Sequence, residues 1–241
     1  MIIKFDTEEE FQRLLSSLAQ EIVDANIHWR LLSDLKGNIE LFSKEYNESA
    51  AFWTLTFQAH LDATIFHLIR IYDGNSASLS LKNLLDTISA NLRIFETERF
   101  RERLKNNPFV ESLSEDSRKP DEQQLYKDIE FASNNNPIVN KLTIWRNNLF
   151  AHKSAGNTVK GYNIASDYPL YDKEIEELLV GGKTILNRYS NLFHANTYST
   201  QIVGHDDYQF VLKSIRFHLE KMDQEVKAQI LAYKQRQANK P

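Results

Sequence analysis

The chain has 241 residues, 41% of them hydrophobic, and its formal net charge is -4. This length suits one sizeable core rather than two, so we predict a single domain over residues 1–241. The acidic balance argues against a protein that coats nucleic acid through bulk charge, and the absence of cysteine excludes disulfides, thiolate nucleophiles and cysteine-based zinc sites.

Only 7 glycines and 5 prolines are present, and long stretches contain neither, which favours long helices. The first ten residues turn acidic before the apolar core of a signal peptide could form. No apolar run is long enough to cross a bilayer. We therefore expect a cytoplasmic protein with no membrane partner.

The N-terminal third predicts two long helices. Thr7 and Glu10 have the spacing of a capping box, and the apolar repeat after them indicates a helix to about residue 43, with a bend near Gly37. Residues 48–73 are apolar around nearly the full helical circumference, which is typical of a central, buried helix. Its apolar residues are Phe52, Trp53, Leu55, Phe57, Leu61, Ile65, Phe66, Leu68, Ile69 and Ile71.

A third helix is predicted at about residues 79–95, with Ser78 or Ser80 as its N-cap. Residues 96–134 are polar and dense in charge, without a sustained apolar repeat. We expect a loop-rich insertion there, with short helices such as one at residues 121–132.

The next predicted helix begins near Pro137, which suits a first-turn position after an asparagine cap. Its apolar residues step by four, three and four positions, and His152 is the next step of the same stripe. We expect the helix to end near Gly156 and residues 156–169 to form a loop. The stripe consists of Ile138, Leu142, Trp145 and Leu149.

Two further helices are predicted, at about residues 172–196 and 206–236. The fold class is therefore all-α, an antiparallel up-and-down bundle of about five to six long helices. The last helix also carries many lysines and arginines, which usually form a solvated face and alternatively contact nucleic acid. The residues expected to point inward from it are Ile215, Leu219, Met222, Val226, Ile230 and Tyr233.

One stretch, residues 143–154, places a cation, an amide and an imidazole close together on the fourth long helix. Arg146 is followed by Asn147, and Ala151 precedes His152. Spacing alone is a weak signal, because Arg188 and His194 are also six residues apart. The differences are the polar residue after Arg146 and the small residue before His152.

The segment from Arg146 to His152 resembles the motif of the HEPN superfamily (higher eukaryotes and prokaryotes nucleotide-binding), in which an arginine and a polar residue precede a histidine. Phe52-Trp53 and the segment from His67 to Asp73 are similar to the preceding helix in its AbiU-like, abortive-infection branch. The resemblance implies a HEPN-like helical bundle that forms a homodimer with the motif at the interface. It also implies a metal-independent endoribonuclease of toxin or phage-defence type, often partnered with a nucleotidyltransferase-type antitoxin.

Carried over to this chain, the resemblance makes His152 the general acid or base, Arg146 the ligand of the scissile phosphate and Asn147 a residue that orients one of them. The RNA 2'-hydroxyl would attack the adjacent phosphate without metal or cofactor. Arg70, Asp73 and Lys153 are further candidates for substrate binding. For Arg70 and Asp73, an intrahelical or capping salt bridge is the alternative.

Helix geometry adds a condition to this interpretation. On an ideal α-helix, six steps of about 100 degrees leave Arg146 and His152 about 120 degrees apart. The long reach of arginine, unwinding of the last turn, or pairing across two protomers would bring them together. The last option makes dimerisation a requirement for activity.

Two other functions remain open from the sequence. One is a non-catalytic HEPN module that binds RNA, a nucleotide or a partner protein. The other is a helical interaction protein in which Arg146 and His152 are structural. A metal shared by His60, His67 and Asp73 is a weaker alternative, because isolated histidine pairs are usually packing residues.

Overall fold

The computed structural model of the chain describes residues 2–150, 159–161, 163–201, 204 and 206–238. Within these ranges the regular structure is helical without β-strands, which confirms the all-α prediction. The helices are α1 (Glu8–Gly37), α2 (Ser43–Glu48), α3 (Ala50–Ile71), α4 (Leu81–Ala90), α5 (Thr97–Arg103), α6 (Val110–Leu113), α7 (Glu122–Phe131), α8 (Pro137–Trp145), α9 (Ile164–Asp167), α10 (Asp172–His194) and α11 (Tyr208–Ala238). A 3-10 turn covers Leu92–Phe95 and a π-helical turn covers Arg146–Phe150.

The chain divides into two compact units. The first comprises residues 1–28 and 62–201, and the second comprises residues 29–61 and 202–241. The prediction of a single domain stays a prediction.

Local sequence signals begin the helices of the first unit as predicted. The backbone N–H of Glu10 donates to the Thr7 hydroxyl at 3.2 Å, and the Thr7 N–H donates to the Glu10 carboxylate at 3.4 Å, which completes the capping box. Ser80 caps α4 by accepting from the N–H of Asn83. Asn136 caps α8, and Pro137 occupies its first turn.

The core of the first unit contains a cluster of aromatic rings. Phe11 of α1 lies edge-on to Phe193 of α10, with ring centroids 4.9 Å apart, and Phe95 contacts both rings. All three side chains are fully buried. Burial of aromatic side chains contributes strongly to stability, about 1.5–3 kcal/mol for each such ring. This cluster holds α1 and α10 together.

Helix α10 also packs closely on the end of α3. The buried Tyr72 hydroxyl donates to the carbonyl oxygen of Leu178 at 2.6 Å, and burial raises the pKa of Tyr72. A Cβ atom at Gly181 would lie 2.3 Å from the ring of Phe131, so only glycine fits this contact without displacement of the ring. Asp73 begins the turn that follows Tyr72, and its position is therefore tied to the core.

The second unit has its own apolar cluster, in which α11 packs on α2 and on the second-unit residues of α1 and α3. Tyr46 donates from its hydroxyl to the carbonyl oxygen of Leu35 at 3.1 Å, and burial raises the pKa of Tyr46 to about 12. Arg216 of α11 is paired with the buried Glu45. The buried residues of the cluster are Leu35, Phe42, Tyr46, Trp53 and Leu212.

Two predicted elements differ from the structure. Helix α1 ends at Gly37, and a turn separates it from α2, so the first helix does not reach residue 43. Helix α3 is not buried all round, because Phe52, Leu55 and Phe66 are exposed. An apolar circumference does not force burial where neighbouring helices cover only one side. No helix of the described ranges is long and apolar enough to cross a membrane.

The largest discrepancy lies in α11. Met222, Val226, Ile230 and Tyr233 were expected to point inward, yet each is about half exposed or more. Leu212 alone is buried among the residues of this helix, and Ile215 and Leu219 are partly buried. The apolar stripe is present as the sequence predicts, but its C-terminal half has no covering helix within the described part of the chain.

Candidate active site

The candidate site begins at the C-terminal end of α8, where the α-helix changes to a wider π-helical turn. The N–H of Ile138 donates to the Asn136 side chain at 2.9 Å, and α8 then continues regularly to Trp145. Over Arg146–Phe150 the backbone forms a π-helical turn, with wider hydrogen-bonded loops than an α-helix. Such turns are rare and occur frequently at functional sites. Here the turn coincides with the first five residues of the predicted motif.

Arg146 stands at the start of this turn. It forms an ion pair with Asp73, which lies two residues after the end of α3. Its Nη1 atom lies 3.2 Å from Oδ1 of Asp73. The same Asp73 oxygen accepts from the N–H of Asn75 at 2.9 Å, which fixes the carboxylate. About a third of the Arg146 side chain is exposed. A guanidinium has five N–H donors, so the ion pair does not exhaust its capacity to bind an anion.

The other motif residues have different positions. Asn147 is exposed, while Asn148 donates from Nδ2 to the carbonyl oxygen of Ile144 at 2.7 Å. Leu149, predicted on the buried stripe, is 46% exposed, because the wide turn shifts its side chain away from the core. His152 and Lys153, like the predicted helix end near Gly156, lie outside the described residues.

The π-helical turn also changes the geometric condition on the site. The angle of about 120 degrees between Arg146 and His152 assumes 3.6 residues per turn throughout. A π turn advances less per residue, so the α-helical angle does not apply after Trp145. The structure therefore differs from the predicted regular helix at Arg146–Phe150, within the segment that determines the angle between Arg146 and His152.

Two side chains, Trp145 and Lys141, connect α8 to residues 168–174. Trp145 donates from Nε1 to the carbonyl oxygen of Tyr168 at 2.7 Å. Lys141 lies 2.6 Å from the carboxylate of Glu174 and also donates to the carbonyl oxygen of Pro169. Burial raises the pKa of Glu174, but hydrogen bonds from Lys141 and from the Tyr171 backbone outweigh this, and the pKa is lowered. Glu174 is thus a charged anchor for the helix that leads to Arg146.

A second polar cluster surrounds the candidate Arg70. Its guanidinium lies 2.9 Å from Glu21 and over the ring of Phe66, rather than in an intrahelical ion pair. The same Glu21 carboxylate is 2.8 Å from Nδ1 of His67, and the His67 ring stacks on His28. Burial, and then the charge of His67, lower the pKa of His28.

No motif or spacing in the sequence predicts this cluster. Glu21 and His67 are 46 residues apart, and each stands at an ordinary position of its helix. Only the helical repeat of α1, with Leu18 and Ile22 buried, indicates that Glu21 stands at the edge of the buried face. Asp73 contacts Arg146, whereas Arg70 contacts Glu21, so the two substrate-binding candidates take part in different ion pairs.

The chain matches the family model HEPN_AbiU2 (AbiU2) over residues 8–217. It belongs to this family. The matched region includes α8, the π-helical turn and every described contact of Arg146 and Arg70. The C-terminal half of α11 lies beyond it. No curated protein and no solved structure gives a significant match.

The described part of this HEPN chain contains no group of three or more histidine, aspartate or glutamate side chains that could hold a metal ion. His67 contacts Glu21, and Asp73 contacts Arg146. These contacts leave the three-residue metal site of His60, His67 and Asp73 without support.

The second arginine and histidine pair of the sequence has a structural environment. Arg188 is paired with Asp128, which is buried and also accepts from the Tyr189 hydroxyl at 2.7 Å. His194 is partly buried, and its buried Nδ1 has no hydrogen-bond partner among the described atoms. Burial, and then the charge of Arg103, lower its pKa. Arg188 and His194 therefore have the same spacing as Arg146 and His152, but Arg188 belongs to a buried hydrogen-bond network of the core.

We expect His194 to make the protein less stable in mild acid. Its pKa is depressed in the folded state, so below the unfolded value of about 6.5 the unfolded chain binds a proton that the folded chain resists. The free energy of unfolding should fall between about pH 7.5 and pH 5.5, by up to about 1.4 kcal/mol per pH unit for this group. Urea unfolding at the two pH values measures this loss.

The variant His194→Gln should lose less stability over this pH range than the wild type. His218 is an exposed histidine of α11, and His218→Gln is the matched control, which should lose as much as the wild type. An equal loss in wild type and His194→Gln would contradict the assignment to His194.

Proposed function

We propose that this HEPN protein is a metal-independent endoribonuclease of toxin or phage-defence type. The observation that supports this most is the position of Arg146. It opens a π-helical turn, is anchored on Asp73 and remains about a third exposed. A partly exposed guanidinium held by one carboxylate can bind a phosphate with its other N–H groups, in the planar geometry that arginine favours.

In the proposed reaction, the 2'-hydroxyl oxygen of the RNA attacks the adjacent phosphorus. The bond from phosphorus to the 5'-oxygen breaks, and the products are a 2',3'-cyclic phosphate and a free 5'-hydroxyl. A base accepts the proton of the 2'-hydroxyl, and an acid supplies a proton to the leaving oxygen. Arg146 would stabilise the extra negative charge on the phosphate, His152 would serve as acid or base, and Asn147 would orient one of the two.

His152 enters this proposal through the resemblance to the HEPN motif. We further propose that the active form is a homodimer with the motif at the interface, so that Arg146 of one protomer can act with His152 of the other. A nucleotidyltransferase-type antitoxin would then be the partner that restrains the enzyme. Both proposals rest on the family, since family members combine two motif copies in one cleft.

The purified protein should cleave labelled RNA in the presence of EDTA. His152→Ala should lower the cleavage rate at least about 100-fold, because an imidazole placed for proton transfer contributes that much. The products should carry 2',3'-cyclic phosphate ends, detected by resistance to phosphatase until acid treatment. An otherwise identical substrate with 2'-deoxyribose at every position is the control and should stay intact. Uncut RNA with the wild type, or equal cleavage by His152→Ala, would reject the nuclease.

The ion pair between Arg146 and Asp73 supports a second candidate function. A carboxylate 3.2 Å from the guanidinium lowers the local positive potential that a phosphate would meet. Under this second proposal the chain is a non-catalytic HEPN module that binds RNA, a nucleotide or a protein. It predicts RNA retention in a filter-binding assay that Arg146→Ala weakens, together with intact RNA after long incubation.

A further inference from the structure

The C-terminal half of α11 presents a continuous apolar stripe to solvent. Met222, Val226, Ile230 and Tyr233 are 48%, 51%, 50% and 63% exposed. At about 100 degrees per residue, these four side chains fall within about 80 degrees of one another around the helix. Apolar residues this regularly spaced on one face mark a surface that packs against another helix. We call these four residues the α11 stripe.

The α11 stripe continues into an apolar groove of the second unit. The groove runs along the N-terminal half of α11 beside the junction of α2 and α3, and Met222 belongs to both surfaces. Its apolar lining is Phe210, Val211, Ile215, Leu219 and Met222, with Glu48 at the rim. Because Leu212 is fully buried in the core of the second unit, the N-terminal half of α11 is anchored there beside the groove.

The charges around the α11 stripe are segregated along the helix. Residues 220–225 contain Glu220, Asp223 and Glu225 with Lys221 as the one base, whereas residues 226–238 contain Lys227, Lys234 and Arg236 and no acidic residue. Two copies of α11 side by side in the same direction would place acids beside acids and bases beside bases. In opposite directions, the acidic segment of each copy would lie beside the basic segment of the other.

The flanks of the stripe agree with the antiparallel arrangement. Asp223 and Lys234 lie on one flank, about 20 degrees apart around the axis, and Glu225 and Arg236 lie on the other flank with the same separation. In an antiparallel pair related by a two-fold axis, each flank faces its own copy. For a two-fold axis between Val226 and Ile230, Asp223 therefore lies within one residue of direct register with the partner's Lys234, whereas Glu225 and the partner's Arg236 are offset by about 7 Å along the helix.

We propose that the α11 stripe binds a second copy of this chain, as an antiparallel helix pair about a two-fold axis between Val226 and Ile230. Val226 packs on Ile230 of the partner subunit, and Asp223 pairs with the partner's Lys234. The basic end of each helix extends toward the groove of the other copy, where Glu48 and Glu220 supply complementary charge. The stripe lies beyond the residues that match the HEPN family, so this contact is separate from a dimer formed at the motif.

RNA is the other occupant that the basic end of α11 could receive. An apolar stripe flanked by acids as well as bases is a poor surface for a phosphate backbone, which requires an uninterrupted positive patch. Charge complementarity with a second copy uses both signs. The self-association of α11 is therefore the interpretation that accounts for the apolar and the charged residues together.

The α11 contact should have a dissociation constant below about 10 µM in sedimentation equilibrium of the full-length protein, which then forms dimers if this is its one contact and tetramers or larger species if the dimer at the motif forms as well. Ile230→Glu should raise this constant about 100-fold or more, because a carboxylate would be buried at the contact without a partner. The matched control is Leu231→Glu, since Leu231 is exposed on the far side of the same helix. This control should dimerise as the wild type does, and circular dichroism should show equal helicity for all three proteins.

Charge reversal tests the direction of the pair. Asp223→Lys and Lys234→Asp should each weaken dimerisation, and the double variant should restore it, because the pair is then re-formed with opposite signs.

The proposal is overturned by a monomeric wild type, by equal effects of Ile230→Glu and Leu231→Glu, or by a double variant weaker than both single ones. It is also overturned if Lys234→Asp abolishes RNA binding while dimerisation is unchanged. The RNA cleavage assay is a separate readout, so failure of the nuclease does not imply failure of this contact.

Discussion

Replacing Arg146 by alanine is expected to lower the rate of RNA cleavage about 100- to 1,000-fold, the usual effect of removing one preorganised donor to a charged transition state. The side chain begins the π-helical turn and is held by Asp73, so its position is set before the substrate arrives. Single-turnover cleavage of a labelled RNA with saturating enzyme measures the chemical step directly. A rate within about threefold of the wild type would remove Arg146 from the reaction.

Two further variants separate charge from geometry. Arg146→Lys keeps the cation but loses the planar fork, so its cleavage rate should fall between those of the wild type and Arg146→Ala. Asp73→Asn removes the anchor together with a negative charge near the phosphate. It should lower kcat about tenfold while KM stays equal or falls, because orientation is lost but repulsion is relieved. A purely structural Asp73 would change the amount of folded protein and leave kcat per folded molecule unchanged.

A matched control for Arg146 is available on α1. Arg30 pairs with Asp34 one helical turn away, and its side chain is largely exposed. Arg30→Ala therefore removes an arginine from a surface ion pair without touching the π-helical turn. It should cleave RNA at the wild-type rate, which shows that the loss in Arg146→Ala does not come from net charge alone.

The sequence predicted the helix starts because each start is a local event. Thr7 with Glu10, Ser80 and Asn136 all cap the helices that follow them, through hydrogen bonds to backbone within three residues. The buried residues of α10 follow for a similar reason, since a helical repeat places Ile175 and Leu178 on one face wherever that helix packs.

The structural features that could not be predicted from the sequence depend on contacts between residues that are far apart in the chain. The ion pairs of Arg146 with Asp73 and of Arg70 with Glu21 join residues that are more than 45 positions apart in the chain, and no local pattern predicts them. The π-helical turn likewise needs tertiary support, because residues of ordinary helix propensity form it. The helical repeat of α11 correctly gave an apolar stripe, but periodicity cannot distinguish a helix of the core from one whose partner is another molecule.

Replacing Asp128 by alanine is expected to lower the free energy of unfolding by about 3 kcal/mol, because it removes one partner of a buried, hydrogen-bonded ion pair. Asp128 is 4% exposed and accepts hydrogen bonds from three side chains. These are Arg188, the Tyr189 hydroxyl at 2.7 Å and Gln124 at 2.9 Å. The substitution leaves the buried Tyr189 hydroxyl without its acceptor. Urea unfolding followed by circular dichroism measures the change.

The controls for Asp128 distinguish the network from the loss of any acid. Asp116 is exposed, so Asp116→Ala should change stability by less than about 0.5 kcal/mol. Tyr189→Phe removes one hydrogen bond and should cost about 1 kcal/mol. The double variant Asp128→Ala/Tyr189→Phe should lose less stability than the sum of the losses in the two single variants, because both substitutions break the same hydrogen bond. Strict additivity would show that the hydroxyl and the carboxylate act independently.

The two arginine–aspartate pairs are expected to have different roles, with Arg188 and Asp128 contributing to stability and Arg146 and Asp73 to function. Arg188 binds an aspartate whose side chain is 6% exposed and which other donors share, so this pair is a core element. Arg146 binds an aspartate whose side chain is 14% exposed, and its own side chain is 32% exposed. Arg146→Ala should therefore cost less than about 1 kcal/mol of stability. Asp128→Ala should keep its rate of RNA cleavage per folded molecule, because Arg188 and Asp128 do not belong to the proposed site. The opposite pattern, with cleavage lost in Asp128→Ala and stability lost in Arg146→Ala, would transfer the catalytic assignment to the pair with His194.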